Sequence, residues 1–432
     1  MVAAMRTEDL LDPLIGGPGT KGWPHGAAPL RRSLIAARRW NLLRGDLPLP
    51  LAVIQRDALA GNLRWMQQFA HEQGVELAPH GKTTMSPQLF AAQLAAGAWG
   101  ITFANVTQAR LGLAAGVLHV LIANQVVAAA DLDGIVTALD DTAGARLLFL
   151  VDSLAQLELI EAWHRSRDEA PAALEVLLEI GLDGGRTGCR SHGTALALAR
   201  RLHSSLALKL VGIECYEGLW ATGRSADDAA LVQGLLQRVA EVANECDQEQ
   251  LFEGDEVLVS AGGSAIFDLV APRLRLALSK PVRGLLRSGC YLTHDHGSYQ
   301  RYLAAMASRL GCGHGLQAAL QVWATVQSVP EVGLAILGAG KRDCSYDIEM
   351  PIPVAWCGRG QTLSCAAPAD WTVSAMNDQH AYLRFASAQT APRVGDRVGL
   401  GISHPCTTFD KWRWMAMVDE HYDVVDAITT HF

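Results

Sequence analysis

Between residues 51 and 290 the chain repeats one pattern, in which a short apolar run is followed by a stretch that favours a helix. After a first run at residues 51–55, eight further runs follow, at residues 75–78, 100–106, 118–124, 146–151, 174–181, 208–214, 256–262 and 282–286. Nearly continuous hydrophobicity is typical of strands that are buried on both faces. Strands that alternate with helices pair in parallel, because only a long crossover returns the chain in the same direction. The pattern therefore predicts eight successive βα units.

Eight βα units are what a (β/α)8 barrel contains. A doubly wound open sheet is the alternative, but the glycine-rich turn that binds a dinucleotide is missing after the first strand. After about residue 310 the strands become short and are separated by Gly, Pro and Asp turns, which predicts an antiparallel β domain. We therefore predict an α/β protein of three parts. They are an N-terminal extension with a strand joining the β domain (residues 1–50), the barrel (51–310) and the C-terminal β domain (311–432). The surplus run at 51–55 is expected to join the β domain.

Composition excludes several classes of protein. The 432 residues carry a formal net charge of −8, which disfavours nucleic acid and anionic membranes as partners. No apolar run reaches the roughly 20 residues that a spanning helix needs, and the N-terminus lacks the basic start and apolar core of a secretory signal. Nine cysteines without CxxC pairs are not a disulfide framework. We therefore expect a cytoplasmic protein.

The stretch APHGKTT places Lys82 at the end of the first predicted barrel strand. Barrel enzymes build their sites at the carboxyl ends of the strands. A lysine surrounded there by glycine, histidine and hydroxyl groups suits one that loses its proton or forms an imine with an aldehyde. The alternative is a lysine in a salt bridge at the barrel rim.

Two glycine-containing turns follow the seventh and eighth strands, SAGGS at residues 260–264 and RSGCY at residues 287–291. Loops at these two positions bind phosphate in barrels, and Ser264 is expected to open a helix whose N–H groups face an anion. Taken alone, Gly-Gly-Ser predicts a plain turn. A phosphate site opposite Lys82 favours a phosphorylated aldehyde, which indicates pyridoxal 5'-phosphate as cofactor.

A third constellation is His404 and Cys406 in SHPCTTFDKW, on a loop after a predicted strand. One imidazole and one thiolate suit Zn²⁺, although each residue alone is more often structural, and a further protein ligand or the substrate would complete the shell. His294 and His296 form another pair, expected at the surface, with a metal role as the alternative. The other predicted strand ends carry polar residues, namely Asn105, Asn124, Asp152, Ser153, Arg186, Glu214, Tyr216 and Glu217.

Together, APHGKTTMSP and SHPCTTFDKW resemble the motifs of the D-serine dehydratase and D-threonine aldolase group, and the resemblance spans roughly residues 45–432. It implies a barrel of the alanine-racemase type (fold-type III) with a β domain, and a lyase that closely resembles D-serine dehydratase. It also implies pyridoxal phosphate on Lys82, a divalent metal on His404 and Cys406, and a homodimer.

The resemblance implies roles for further residues. Arg186 in GLDGGRTG matches the arginine that faces the cofactor's phenolic oxygen. Tyr216 and Arg287 match positions that set the environment of the pyridine ring, without deciding which faces its nitrogen. The phosphate is expected to contact the two loops, by backbone or hydroxyl groups, at Gly263, Ser264, Gly289 and Cys290. The segment GAGKRDCSYD (338–347) is close to another motif of the group, but carries Gly338 where the resemblance implies an acid.

The predicted reaction is elimination of water from a 3-hydroxy D-amino acid, such as D-serine, to a 2-oxo acid and ammonia. Retro-aldol cleavage to glycine and an aldehyde is the first alternative. The resemblance implies His with Asp as the metal pair of the aldolases, whereas a thiolate at Cys406 favours Zn²⁺ and dehydration. A 3-hydroxy-D-aspartate dehydratase would share this cysteine. A racemase would need a second base on the opposite face of the ring, commonly a tyrosine from the β domain of the partner subunit. Tyr346 and Tyr382 are available for this, but a racemase would leave the metal motif unexplained. A non-catalytic cofactor-binding protein would need no metal pair.

Overall fold

The computed structural model describes residues 6–311 and 315–432. The predicted N-terminal extension and β domain also contain residues 1–5 and 312–314, which lie outside the described residues. Among the residues described, none of the helices combines the length and the hydrophobicity that crossing a membrane requires.

The N-terminal segment consists of short elements that pack against the β domain and, at the first helix, against the outside of the barrel. They are α1 (Thr7–Leu11), β1 (Leu14–Ile15), β2 (Leu30–Arg31), two 3-10 turns (Arg32–Leu34 and Ala36–Arg38) and β3 (Leu51–Gln55). Trp23 anchors the segment, because its ring meets those of Trp40 and Trp414 edge-on, with centroids 5.2 and 5.1 Å away. Such aromatic pairs add stability beyond the area that they bury.

Eight strands follow the predicted apolar runs and confirm the barrel. They are β4 (Glu76–Leu77), β5 (Ile101–Phe103), β6 (His119–Gln125), β7 (Arg146–Val151), β8 (Leu174–Ile180), β9 (Leu208–Cys215), β10 (Val257–Ala261) and β11 (Val282–Leu286). They pair in parallel in the order β4-β11-β10-β9-β8-β7-β6-β5. Since all eight run in the same direction, their carboxyl ends meet at one rim.

The barrel closes beyond the end of the two-residue strand β4. The Thr102 N–H on β5 donates to the Pro79 carbonyl at 2.9 Å, and the Thr102 hydroxyl donates to the Ala78 carbonyl at 2.6 Å. A parallel bridge between His80 and Thr102 extends this contact. Closure therefore runs through the segment that carries Lys82, which holds this segment at the rim.

Helices surround the barrel. They are α2 (Arg56–Glu72), α3 (Pro87–Ala95), α4 (Val106–Ala114), α5 (Ala129–Asp141), α6 (Leu154–Arg165), α7 (His192–His203), α8 (Ser225–Gln248), α9 (Phe267–Val270) and α10 (Ser298–Leu310). Asn105, Ser153 and Ser191 cap α4, α6 and α7, since each side chain accepts the N–H of the residue three positions on. Asn105 and Ser153 therefore have structural roles at their strand ends.

The C-terminal part is a sheet built from β12 (Leu320–Glu331), β13 (Leu334–Leu337), β14 (Ile352–Cys357), β15 (Cys365–Ala366), β16 (Thr372–Met376), β17 (Ala381–Arg384), β18 (Arg397–Gly401), β19 (Trp414–Val418) and β20 (Val424–Thr429), with α11 (Cys406–Phe409). Strand β3 pairs antiparallel with β12 and parallel with β19. Residues 51–55 thus lie in this sheet and not in the barrel, because the barrel is complete without them. The remaining domain limits, at residues 50 and 310, stay a proposal.

Two local expectations are wrong. Ser264 does not open a helix, because the chain turns through residues 262–266 and the four-residue α9 begins at Phe267. His294 and His296 do not form a surface pair. The His294 side chain is buried under the rim, and the His296 ring lies so close to Gly401 that a Cβ there would come within 2.4 Å of its Cγ. Burial lowers the pKa of each histidine to about 4.

The barrel interior is packed with Leu121, Leu148, Leu150, Leu177, Val211, Leu258 and Leu285. We expect Leu258→Ala to lower the free energy of unfolding by about 2–5 kcal/mol, because the truncated side chain leaves a cavity that a closed barrel cannot collapse. The matched control is Leu206→Ala, at a leucine that is 85% exposed, which should change stability by less than about 0.5 kcal/mol. Urea unfolding followed by tryptophan fluorescence measures both. Equal losses would contradict a tightly packed interior.

Candidate active site

A cavity of about 330 Å³ opens at the carboxyl ends of the barrel strands. Nine of the predicted residues line it: Lys82, Arg186, Tyr216, Ser264, Arg287, Gly289, Cys290, His404 and Cys406. They come from barrel loops and from the β domain, so the cavity lies where the two meet. Neither Tyr346 nor Tyr382 belongs to the cavity lining of the described chain.

Lys82 stands in a single 3-10 turn, Gly81–Thr83, directly after β4. A side chain at Gly81 would not fit, because its Cβ would lie 2.8 Å from both Ile101 and Phe103. Glycine therefore lets the turn press onto the barrel wall while the half-buried Lys82 side chain reaches the cavity.

Arg186 and Tyr216 pack against each other on the opposite wall. The Arg186 guanidinium lies 4.7 Å from the centroid of the Tyr216 ring, within the range of a cation–π contact. The same ring rests on Gly262, where a Cβ would lie 2.5 Å from Cδ2 of Tyr216. Burial raises the pKa of Tyr216, so the phenol stays protonated at neutral pH.

Arg287 and Glu214 form a buried pair beneath the cavity. The Arg287 Nη2 lies 2.6 Å from the Glu214 Oε2, and both side chains are almost fully buried. Arg287 also donates to the Ser260 hydroxyl at 2.7 Å and to the Cys215 carbonyl at 3.1 Å. Neither Glu214 oxygen accepts a well-directed hydrogen bond within the described residues. Burial raises the pKa of Glu214 to about 8, since the lost hydration outweighs the attraction of Arg287.

The hydrogen bonds of Glu217 exclude one of the predicted phosphate donors. Its buried carboxylate accepts the N–H of Gly262 at 3.2 Å and also the N–H of Gly263. The N–H of Gly263, which was expected to bind the phosphate, therefore donates to Glu217, and Gly263 does not line the cavity. A buried carboxylate needs such donors, because an unpaired one is costly.

The remaining loop donors are better placed. The N–H groups of Ser264, Gly289 and Cys290 donate to no acceptor within the described part of the chain. A Cβ at Gly289 would lie 2.7 Å from the His80 carbonyl oxygen and 2.8 Å from the Thr83 hydroxyl. Glycine is thus required for the close approach of the eighth loop to the first, which leaves a cradle of free N–H groups beside the Ser264 hydroxyl.

His404 and Cys406 enter the cavity from the β domain. The His404 Nδ1 lies 2.6 Å from Asp347 Oδ2, and the Thr407 hydroxyl donates to Asp347 Oδ1 at 2.8 Å. Asp347 therefore fixes the orientation of the ring through Nδ1. The Cys406 thiol lies 3.5 Å from the Thr83 hydroxyl, next to the turn of Lys82.

The two side chains form a charged pair. Hydrogen bonding with Cys406, and then with Asp347, raises the pKa of His404 to about 9. Hydrogen bonding from Cys290, and then from His404, lowers the pKa of Cys406 against the opposing effect of burial. An imidazole and a thiolate are metal ligands once the ring loses its proton. No group of three or more His, Cys, Asp or Glu side chains is arranged around a metal position in the described chain.

Sequence reasoning missed two residues of the site. Asp347 lies in the segment GAGKRDCSYD, which attracted notice only for its Gly338. The carboxylate of Asp347 in that segment was the feature that could have indicated a partner for a metal-binding histidine. Glu214 was placed at its strand end without a role, and nothing local indicated that Arg287 would pair with it.

Two families match the chain. The family described as alanine racemase, N-terminal domain, matches residues 54–281, and the one described as putative serine dehydratase domain matches residues 319–418.

Relatives extend over most of the chain. D-threonine aldolase of Arthrobacter sp. is 28% identical over 372 residues, 84% of this chain and 86% of that protein. D-threo-3-hydroxyaspartate dehydratase of Delftia sp. (strain HT23) is 29% identical over 374 residues, 84% of this chain and 92% of that protein. The solved structure of the Delftia enzyme, 26% identical, superposes with a TM-score of 0.68 over 90% of this chain and 99% of that chain.

The raised pKa of Glu214 predicts a pH dependence of stability. The native state holds this proton up to about pH 8, whereas the unfolded chain releases it near pH 4.5. The contribution is therefore fully present below pH 4.5 and is lost as the pH rises to about 8. We expect Glu214→Gln to lose less stability across that window, measured by urea unfolding at several pH values. Glu241→Gln, at an exposed position, is the control. Identical pH slopes in all three proteins would contradict the assignment.

Proposed function

The chain belongs to the family of the alanine racemase N-terminal domain, whose match spans more than half of it, and from its match to a serine dehydratase domain and its aldolase and dehydratase relatives we propose that it is a lyase. The proposed reaction is elimination of water from a 3-hydroxy D-amino acid, with pyridoxal phosphate and a divalent metal ion. D-serine, which would give pyruvate and ammonia, is the first substrate to test.

The observation that carries this proposal is the meeting of His404 and Cys406 with Lys82 in one cavity. A base for the α proton and a ligand pair for a Lewis acid thus face the same space. Removal of a β-hydroxyl needs both, because hydroxide is a poor leaving group unless a metal carries its charge.

The donor set fits a metal ion. Asp347 holds Nδ1 of His404, an arrangement that orients a histidine ligand and raises its basicity. A thiolate and an imidazole favour Zn²⁺ over harder ions. Structures of the Delftia enzyme include a histidine-to-alanine and a cysteine-to-alanine mutant at positions two residues apart, the latter in the metal-free form. His404 and Cys406 have the same spacing.

The cavity also fits pyridoxal phosphate. The free N–H groups of Ser264, Gly289 and Cys290 with the Ser264 hydroxyl suit a phosphate. Lys82 would hold the aldehyde carbon through Nζ, and Arg186 would face the phenolic oxygen. Between Tyr216 and Arg287, the structure favours Arg287 for the pyridine side, since its guanidinium rises from the buried pair with Glu214.

Each residue then has a task. The cofactor, when bound, draws electrons from the substrate's α carbon and so acidifies its proton. Lys82, which lines the cavity, would accept that proton at Nζ. Although burial opposes it, the neighbouring Glu214 and Cys215 raise the pKa of Arg287, which therefore keeps its positive charge at the cavity.

Retro-aldol cleavage is the second candidate, because D-threonine aldolase of Arthrobacter sp. is nearly as similar as the dehydratase. It would use the same lysine and metal. Cys406 favours dehydration, because a thiolate suits Zn²⁺, whereas the family resemblance implies His with Asp as the metal pair of the aldolases. The acceptance of D-threo-3-hydroxyaspartate is an alternative within the same reaction. A homodimer and a cytoplasmic location also remain proposals.

Product analysis tests the proposal. Protein loaded with pyridoxal phosphate is incubated with D-serine, D-threonine and D-threo-3-hydroxyaspartate, with L-serine as stereochemical control. Oxo acid and ammonia, lost on chelation and restored by Zn²⁺, are expected. Glycine with an aldehyde would make the protein an aldolase, and no turnover would refute the substrate class.

A variant tests the metal pair. We expect Asp347→Asn to weaken Zn²⁺ binding by about 10–100-fold, because His404 loses the carboxylate that orients its ring. Competition with a chromophoric chelator measures the dissociation constant. Asp378→Asn, at an exposed aspartate paired with Arg342, should leave it unchanged. Equal affinities in both variants would show that Asp347 does not support the metal.

A further inference from the structure

Two thiols of the cavity lie in contact with each other. Cys290 Sγ and Cys406 Sγ are 3.9 Å apart, although the residues are 116 positions apart in the chain. Cys290 comes from the loop after β11 and Cys406 begins α11 in the β domain. The pair therefore joins the proposed phosphate loop to the proposed metal loop.

This pair differs from the other cysteines. Eight described cysteines are free, and among the hydrogen bonds of the described residues this is the only thiol–thiol contact. Both side chains line the cavity, so a small solute that enters it reaches both. Cys365, by contrast, is exposed and its thiol donates only to a backbone carbonyl.

We propose that Cys290 and Cys406 are a reversible oxidation site that closes to a disulfide in the presence of a peroxide. The sulfur atoms have to approach from 3.9 Å to about 2.05 Å. Both residues lie at the first position of a short helical turn.

The chemistry balances with hydrogen peroxide as oxidant. The Cys406 sulfur attacks one peroxide oxygen, the O–O bond breaks, and the sulfenic acid and water form. The Cys290 sulfur then attacks the Cys406 sulfur, the S–O bond breaks, and the Cys290 proton leaves with the hydroxide as a second water. The two sulfurs lose two electrons and the peroxide gains them.

The consequence for activity rests on the proposed function. A disulfide removes the thiolate of Cys406 from the metal pair. It also links Cys406 covalently to the proposed phosphate loop through Cys290. Oxidation would therefore release the metal and stop turnover, and a thiol reductant would restore both. Formation of the bond itself requires neither the metal nor turnover.

Peptide mapping tests the bond. Protein loaded with pyridoxal phosphate is treated with hydrogen peroxide, with and without Zn²⁺, then free thiols are alkylated and the digest is analysed by mass spectrometry. We expect a peptide pair joined at Cys290 and Cys406, lighter by two hydrogen atoms than the separate peptides, abolished by dithiothreitol and slower to form with Zn²⁺. Cys365→Ser should form it unchanged.

Variants separate this proposal from the proposed function. In Cys290→Ser, and independently in Cys406→Ala, the joined peptide should be absent. Without Cys290, excess peroxide should oxidise the Cys406 sulfenic acid further to the sulfinic acid, so that dithiothreitol no longer restores zinc binding in Cys290→Ser. Consumption of thiols in the unaltered protein without the joined peptide would overturn the proposal. A joined peptide in a protein that turns over none of the amino acids would refute the function and leave the oxidation site standing.

Discussion

The parallel hydrogen-bond ladder of the eight barrel strands is the constraint on which the site depends. Parallel pairing carries every strand's carboxyl end to one rim, and closure uses the backbone around His80 and Thr102. Lys82 follows that closure by two residues, so its place in the cavity is set by the barrel's own completion. The loops after β10 and β11 lie at the same rim, because these strands run in the same direction as the other six.

Buried charge is the second determinant. Glu214 pairs with Arg287, and Glu217 takes the N–H groups of Gly262 and Gly263. Burying either carboxyl group without a partner would cost free energy, and each contacts a residue of a neighbouring strand or loop. The side chains beneath the cavity are therefore bonded to their neighbours and do not move independently. The positive charge of Arg287 faces the site, and the guanidinium is held by its contact with the buried Glu214 carboxyl group.

The prediction from sequence succeeded for elements and failed for contacts. The apolar runs identified all eight strands, since burial on both faces leaves a continuous signal in a few residues. The helix expected at Ser264 and the surface histidines at 294 and 296 were wrong. In both cases the neighbours that decide the conformation or the burial lie elsewhere in the chain, such as Gly401 against His296.

The sequence by itself determined the succession of βα units, the lysine at the end of the first barrel strand, and the His404–Cys406 pair. All of these are written in stretches of about ten residues, where periodicity and spacing carry the information. Only the tertiary structure decided that Asp347 orients His404, that Glu217 occupies the N–H of Gly263, and that Cys290 touches Cys406. Those partners are 57, 46 and 116 positions apart. Asp347 meets His404 within the β domain, and Glu217 meets Gly263 within the barrel. Cys290 meets Cys406 where the barrel and the β domain pack, and no local pattern records any of these contacts.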